Sequence, residues 1–184
     1  DLATARIESY KEPGENPIVT EAALEKDLAR RDFTINAIAI DLSTNTLIDP
    51  FEGRNSLAKK TIDLIHNSSI KDDPTRVIRA ARYAARFNFD LSNQSLKQIQ
   101  RTLKNWPWNW EPGKKTNLAP PALAVRLRQE FELLLNNEPW EIALTKLQTW
   151  GALVLLDQEL QLDKKWQRRL RWASRLKIQP LTAL

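Results

Sequence analysis

The stretch Asp72-Asp-Pro-Thr-Arg-Val-Ile-Arg-Ala-Ala-Arg-Tyr-Ala-Ala-Arg-Phe87 decides how this chain is organised. From Thr75 to Phe87 it holds neither glycine nor proline. Asp73-Pro74 ahead of it is a helix-start signal, because aspartate caps free backbone N–H groups and proline fits the first helical position. On a helix, Arg76, Arg79, Arg82 and Arg86 fall within a sector of roughly 120°. Val77, Ile78, Ala80, Ala81, Ala84 and Ala85 cover the opposite side. One face is therefore core and the other an arginine ridge. The ridge begins at a helix N-terminus, where free N–H groups and the macrodipole favour anions. Four like charges repel unless something neutralises them. Phosphate or nucleic acid is one answer, and carboxylates elsewhere in the protein are the other. Spacing alone leaves both open.

Asp73 and Arg76 stand three residues apart, on neighbouring helical positions. A carboxylate accepts hydrogen bonds and a guanidinium donates them. The pair matches a base edge that shows an exocyclic amine beside a ring nitrogen acceptor. Cytosine and adenine have that edge; guanine and uracil have the opposite polarity. Plain helix capping is the simpler role for Asp73.

Upstream, Arg30-Arg-Asp-Phe-Thr-Ile-Asn-Ala37 places two cations, a carboxylate, a hydroxyl and an amide ahead of an apolar run. The charges must stay at the rim of that element, because burying them unpaired is costly. Such a cluster suits a triphosphate and a ribose hydroxyl, and equally a surface network of ion pairs.

The 184 residues carry a net charge of +5, unevenly spread. Residues 1–70 hold 8 basic and 12 acidic side chains, residues 71–130 hold 12 and 5, and residues 131–184 hold 8 and 6. The middle third thus carries the positive field expected of a phosphate- or RNA-binding surface. Cysteine is absent, which excludes disulfides and thiolate chemistry, and a single histidine, His66, excludes a multi-histidine metal cage. No apolar run is long enough for a membrane span. There is no methionine at all, and a start at Asp1 suggests a piece of something longer.

The periodicities give an α+β outline. Strands are expected over 1–10, over 35–42 (where a helix beginning near Thr34 is the alternative), around Leu47-Ile48 and over 60–66, with a helix from Leu24 to Arg31. Pro13, Gly14 and Pro17 make 11–20 a loop, and Asp49-Pro-Phe-Glu-Gly53 is a further break. Helices follow over 75–87, 92–103, 122–135, 140–156 and 163–176, with a proline-rich loop over 105–121. Trp106, Trp108 and Trp110 alternate in that loop and either stack on bases or pack it down. Trp140, Trp150, Trp166 and Trp172 have core spacing, and His66 stands alone as a structural residue.

Taken together, Arg30 to Ala37, Asp49 to Gly53 and Asp72 to Phe87 resemble the class II tRNA nucleotidyltransferase and poly(A) polymerase family in residues, order and spacing. Asp1-Leu-Ala-Thr-Ala-Arg6 is similar to that family's palm strand. The resemblance is strong over about 1–90 and looser beyond. It implies the C-terminal part of a nucleotidyltransferase palm, a small mixed or antiparallel sheet, over 1–65. A helical neck over 66–130 and the start of a helical body over 131–184 would follow. It implies a cytoplasmic enzyme that adds C or A from CTP or ATP to the tRNA 3′ end without a nucleic-acid template. CCA, CC-only, A-only and poly(A) synthesis share these motifs. Arg30, Arg31, Asp32 and Asn36 match the motif that holds the nucleotide's phosphates and sugar. Asp73 and Arg76 match the base-reading pair, Arg79 and Arg82 the arginines that follow it, and Asp49 and Gly53 a hinge. Arg86, Lys97, Arg101, Lys104, Lys114 and Lys115 suit RNA phosphates, as do Lys164, Lys165, Arg168, Arg169, Arg171 and Arg175.

There are departures from the family pattern. The family's glycine-rich turn and Asp-x-Asp pair, which bind Mg²⁺, would lie upstream, and Asp1 offers at most a third carboxylate. Ser56 and Asp63 stand where the family has Asp and Arg, and Asp72 replaces Glu. The 184 residues alone are therefore expected to be inactive. Two other readings compete with the enzyme: a non-catalytic RNA- or nucleotide-binding module, and a helical interaction scaffold.

Overall fold

The computed structural model describes residues 3–10, 15–112, 117–163 and 165–178. The chain opens with an antiparallel hairpin of β1 (Arg6–Ser9) and β2 (Ile18–Glu21), with Arg6 opposite Glu21 and Ser9 opposite Ile18. The expected loop over 11–20 therefore ends in a strand; its Pro13 and Gly14 lie outside the described residues. Helix α1 (Leu24–Ala29) follows as expected.

The apolar run over 35–42 is not one strand. Asp32 Oδ1 accepts from the backbone N–H of Phe33 at 2.9 Å and from Asn36 Nδ2 at 2.8 Å, which curls the chain into a 3-10 turn at Thr34–Asn36. Only β3 (Ala39–Asp41) remains extended, paired antiparallel with β4 (Thr46–Ile48).

Asp49 then caps a helix that periodicity did not predict, α2 (Gly53–Lys59). Its two carboxylate oxygens accept from the N–H of Gly53 at 2.6 Å and of Arg54 at 3.0 Å. Gly53 sits against the 3-10 turn with no room for a side chain: a Cβ would lie 2.3 Å from the Thr34 carbonyl oxygen. The residues expected to form a hinge thus make a tight joint in this structure.

The strand expected over 60–66 shrinks to β5 (Thr61–Ile62). Beyond it the chain turns back along the Arg31 segment, with Thr34 N–H bonded to Asp63 O and Ile65 N–H to Asp32 O. After the short α3 (Ser69–Asp72) comes α4 (Thr75–Phe87), with the bounds the spacing predicts. Asp73 Oδ1 accepts from the Thr75 N–H at 3.0 Å and hydroxyl at 2.7 Å. β6 (Asp90–Leu91) pairs in parallel with β5. Then come α5 (Asn93–Asn105), capped by the Ser92 hydroxyl, and α6 (Pro121–Asn137). α7 (Trp140–Trp150) stops at Gly151, whose left-handed φ of 80° ends the helix that the sequence carried on to 156. A 3-10 turn at Ala152–Leu155, α8 (Gln158–Leu162) and α9 (Trp166–Arg175) complete the described chain.

The core is continuous. Val77, Ile78, Ala80, Ala81, Ala84 and Ala85 of α4 are buried, as the helical spacing required. They belong to one apolar cluster that runs from Phe33 through α4, α6 and α7 to Leu170. The cluster crosses both expected boundaries, at 65 and at 130. Trp106, Trp108 and Trp110 pack on one another with centroids 5.0–5.8 Å apart, and the Trp108 indole N–H is bonded to Lys71 O at 2.9 Å. Trp108 and Trp110 are buried, so their faces are spent on the loop. Trp150 and Trp166 are core, whereas Trp172 is 51% exposed on the outer face of α9 beneath Arg175. His66 is held by a contact between its Nε2 and Ala29 O. Among the described residues no helix is long and apolar enough to cross a membrane.

The α4 ridge is neutralised from within. Glu130 of α6 bonds both Arg79 and Arg82, and Glu138 bonds both Arg82 and Arg86. Arg82 and Glu138 are both buried. Removing one partner of such a pair strands a buried charge. Glu138→Ala should cost about 3–5 kcal/mol in chemical denaturation. Glu132→Ala, which breaks the exposed pair with Arg128, should cost about 0–1 kcal/mol. At the α2 joint, Gly53→Ala should cost about 1–3 kcal/mol in the same assay, since a backbone oxygen must move to admit the methyl group.

Candidate nucleotide-binding site

A cleft of about 580 Å³ opens where the Arg30-Arg31-Asp32 segment faces the start of α4 and one side of α6. Seven residues singled out from sequence line it: Arg30, Arg31, Asp32, Asn36, Asp73, Arg76 and Arg79. Arg82 does not; it is buried between α4 and α6 by its two glutamates. Arg86, expected to meet RNA, is engaged by Glu138. Lys97, Arg101 and Lys104 are exposed on α5, away from the cleft. Asp1, Lys114, Lys115 and Lys164 lie outside the described residues. On α9, Arg171 pairs with Glu141 and Arg169 with Asp163.

Behind the Arg30-Arg31 wall of the cleft lies a shared carboxylate. Asp27, at the end of α1, takes Arg30 on Oδ1 at 2.7 Å and Arg31 on Oδ2 at 2.8 Å, together with the N–H of Arg6 at 3.2 Å. Arg30 also reaches Glu8 of β1 at 2.8 Å, and Arg31 reaches Asn36 O at 2.8 Å. The two guanidiniums are thus fixed in direction by groups on three sides. Each guanidinium has five N–H donors, and these contacts leave part of each fork for an anion. Arg31 stays 39% exposed by side chain, against 21% for Arg30.

The opposite wall is α4. Arg79 Nε binds Asp32 Oδ2 at 2.7 Å, and its Nη2 binds the Tyr83 hydroxyl at 3.1 Å. Burial opposes the charge on Arg79, yet Asp32 beside it outweighs burial and raises its pKa. Arg76 is braced by the carbonyls of Arg30 at 3.2 Å and Ser69 at 3.4 Å. With Oδ1 of Asp73 spent on Thr75, its Oδ2 faces Arg126 Nε of α6 at 3.7 Å. Burial pushes the Tyr10 hydroxyl up to about 12, with the charge on Glu8 adding to the effect.

Several lining residues escaped the sequence reading: Glu8, Tyr10, Tyr83, Arg126, Gln129 and Glu130. Arg126 and Glu130 come from a helix some 50 residues after α4 begins. Their i, i+4 spacing put them on one face, but nothing in the chain said which partner that face met.

Among the described residues no group of three or more His, Asp or Glu side chains is arranged to hold a metal ion. Glu8, Asp27 and Asp32 are each occupied by arginines. These residues therefore do not fit a divalent cation.

Asp27 also sets a pH response. Burial alone would raise its pKa, but the hydrogen bonds from Arg31 and Arg30 outweigh this and hold it at about 2. An unfolded aspartate titrates near 3.9. As pH falls through this window the unfolded chain binds more protons, so the contribution of Asp27 is full above about pH 4. It is lost on acidification towards pH 2. Urea midpoints followed over this range should show a shallower acid slope for Asp27→Asn than for the parent chain.

Residues 1–63 match the poly A polymerase head domain. An A-adding tRNA nucleotidyltransferase of Halalkalibacterium halodurans is 47% identical over 160 residues, covering 84% of this chain and 35% of that protein. A CC-adding tRNA nucleotidyltransferase of Deinococcus radiodurans is 34% identical over 164 residues, covering 85% of this chain and 38% of that protein. Among solved structures, an apo CCA-adding enzyme superposes with a TM-score of 0.71 at 27% identity, over 94% of this chain and 41% of that one. A tRNA nucleotidyltransferase complexed with a primer tRNA and an incoming ATP analog gives 0.63 at 31% identity, over 85% of this chain and 45% of that one. The chain thus spans between about a third and a half of the length of the relatives it matches. With the arginine–aspartate cleft and the α4 helix in the places the motifs required, the chain belongs to the family of tRNA nucleotidyltransferases and poly(A) polymerases.

Proposed function

We propose that this chain supplies the nucleotide-binding side of a template-independent transfer of C or A, from CTP or ATP, to the 3′ end of tRNA in the cytoplasm. The observation that carries the proposal is the cleft itself, where Arg30 and Arg31 are held by Asp27 across from Asp73 and Arg76. Charge-assisted hydrogen bonds from pre-oriented guanidiniums suit a triphosphate. Asn36 and Asp32, tied together at 2.8 Å, stand ready for the sugar. Asp73 as acceptor and Arg76 as donor suit the base edge that cytosine and adenine share.

In this reading residues 1–65 are palm, 66–130 neck and 131–184 the start of the body. These are functional regions built on one shared core rather than separate cores. The metal that the chemistry requires, Mg²⁺ by the family resemblance, is assigned to carboxylates other than those described here. The relatives support the substrate class, since an A-adding and a CC-adding enzyme are both similar to this chain.

Calorimetric titration of the chain with each of the four ribonucleoside triphosphates tests the proposal. CTP and ATP should bind about 10-fold or more tightly than UTP and GTP, the discrimination expected of one bidentate base-edge contact. Arg31→Ala should weaken CTP and ATP alike by about 10- to 100-fold, the loss of a charged hydrogen bond. Asp73→Asn should instead narrow the preference among bases. Equal affinity for all four triphosphates in the parent chain would overturn the base-reading role, and no binding at all would overturn the proposal.

A further inference from the structure

Asp73 is anchored at all but one of its polar atoms. Its N–H donates to Ser69 O at 3.2 Å, and its carbonyl accepts from the Arg76 N–H at 3.2 Å. Pro74 disfavours helical backbone at the residue before it, and Asp73 is extended, at φ −146° and ψ 101°. Its Oδ1 accepts twice from Thr75, from the N–H at 3.0 Å and from the hydroxyl at 2.7 Å. Among the described residues only Oδ2 is left without a hydrogen bond, and Asp73 lines the cleft. Thr75 is only 3% exposed. A hydroxyl has one hydrogen to give, and Thr75 gives it to Asp73. The Ser69 carbonyl that takes the Asp73 N–H also takes Arg76 Nη1 at 3.4 Å. The acceptor and the donor at this end of the cleft are thus registered on one backbone oxygen.

We propose that Thr75 is a positioning residue for base choice: its hydroxyl locks the Asp73 carboxylate so that a single acceptor, Oδ2, meets the base beside the Arg76 guanidinium. The inference rests on the reading of the cleft given above. The terminal torsion of an aspartate is broad and twofold. One backbone N–H on Oδ1 leaves that torsion loose, and the second donor from the Thr75 side chain closes it. A competitor makes the lock necessary. Arg126, which donates to Asn16 Oδ1 at 3.3 Å, has its Nε 3.7 Å from Asp73 Oδ2. That separation is beyond hydrogen-bond reach. Released from Thr75, the carboxylate can turn and close on Arg126. The acceptor that tells an exocyclic amine from a carbonyl is then consumed, and the four bases look more alike. The opposite side of the cleft is held separately, by Asp27 on Arg30 and Arg31. Thr75 therefore governs choice among bases rather than grip on the triphosphate.

The test is calorimetric titration of the parent chain, Thr75→Val and Thr75→Ser with CTP, ATP, UTP, GTP and inorganic tripolyphosphate. Valine keeps the shape of threonine and loses the hydroxyl; serine keeps the hydroxyl. Thr75→Val should lower the preference for CTP and ATP over UTP and GTP by about three- to tenfold, the net worth of one hydrogen bond. Its affinity for tripolyphosphate should stay at the parent value, and Thr75→Ser should keep the parent preference. In an Asp73→Asn background Thr75→Val should remove no further preference, because the two changes act through one carboxylate. Thermal melts check each fold, and if Thr75→Val does not fold, Thr75→Ala carries the same expectation. The inference is overturned, with the cleft reading intact, if the parent prefers CTP and ATP and the variant without the hydroxyl keeps that preference. It is equally overturned if that variant loses affinity for tripolyphosphate and all four nucleotides in equal proportion, or if Thr75→Ser loses as much preference as Thr75→Val. Equal binding of all four nucleotides by the parent chain would overturn the base-reading role of Asp73 itself, and this inference with it.

Discussion

The structure depends on a single chain of alternating charges. Asp32 holds Arg79, Arg79 shares Glu130 with Arg82, and Arg82 shares Glu138 with Arg86. Without the carboxylates, three arginines on one face of α4 would repel one another, and Arg82 could not be buried at all. With them, the ridge becomes the glue between a loop near the start of the chain, a helix in its middle and a helix after it. That linkage is electrostatic on one side of α4 and apolar on the other, so the helix is fixed in rotation as well as in place.

Fixing α4 fixes the cleft. Arg76 and Arg79 face the Arg30-Arg31 segment only because Asp32 reaches across to Arg79 while the Arg30 carbonyl accepts from Arg76. Asp27 completes the frame by holding Arg30 and Arg31 from behind. Anion sites of this kind work by preorganisation: the cost of gathering cations is met on folding, by internal carboxylates, rather than on binding. Each carboxylate takes only part of a guanidinium fork, and the remaining donors are those an incoming phosphate meets.

Much of this was legible in the chain. The α4 helix and its apolar face followed from spacing, and seven of the eight residues expected at a nucleotide site line one cleft. The misses have physical causes. Arg82 looks like its neighbours in sequence, yet the helix turn that places it 60° from Arg79 puts it under α6, where Glu130 and Glu138 claim it. The run from Ile35 to Leu42 has the apolarity of a strand, yet Asp32 and Asn36 hydrogen-bond across its start and bend it. α2 escaped notice because its start is set by Asp49 four residues upstream and by the fit of Gly53 on a carbonyl, neither of which is periodic. Trp172 has helical spacing like Trp166, but it lies on the outer face of α9, where among the described residues it stays 51% exposed.

What the sequence determined by itself is local: which segment is helical, which face is core, and which residue types stand ready for phosphate and for a base edge. Those follow from period, capping and donor–acceptor chemistry, all readable within a dozen residues. What only the tertiary structure decided is which cations are consumed and which remain. Arg82, Arg86, Lys97 and Arg101 are equally basic in the sequence, and no spacing rule separates them. The fold brings Glu130 and Glu138 to the first two and, among the described residues, no carboxylate to the last two. Pairing across about 50 residues depends on how helices cross rather than on how residues repeat, and that crossing is set by the shared apolar core.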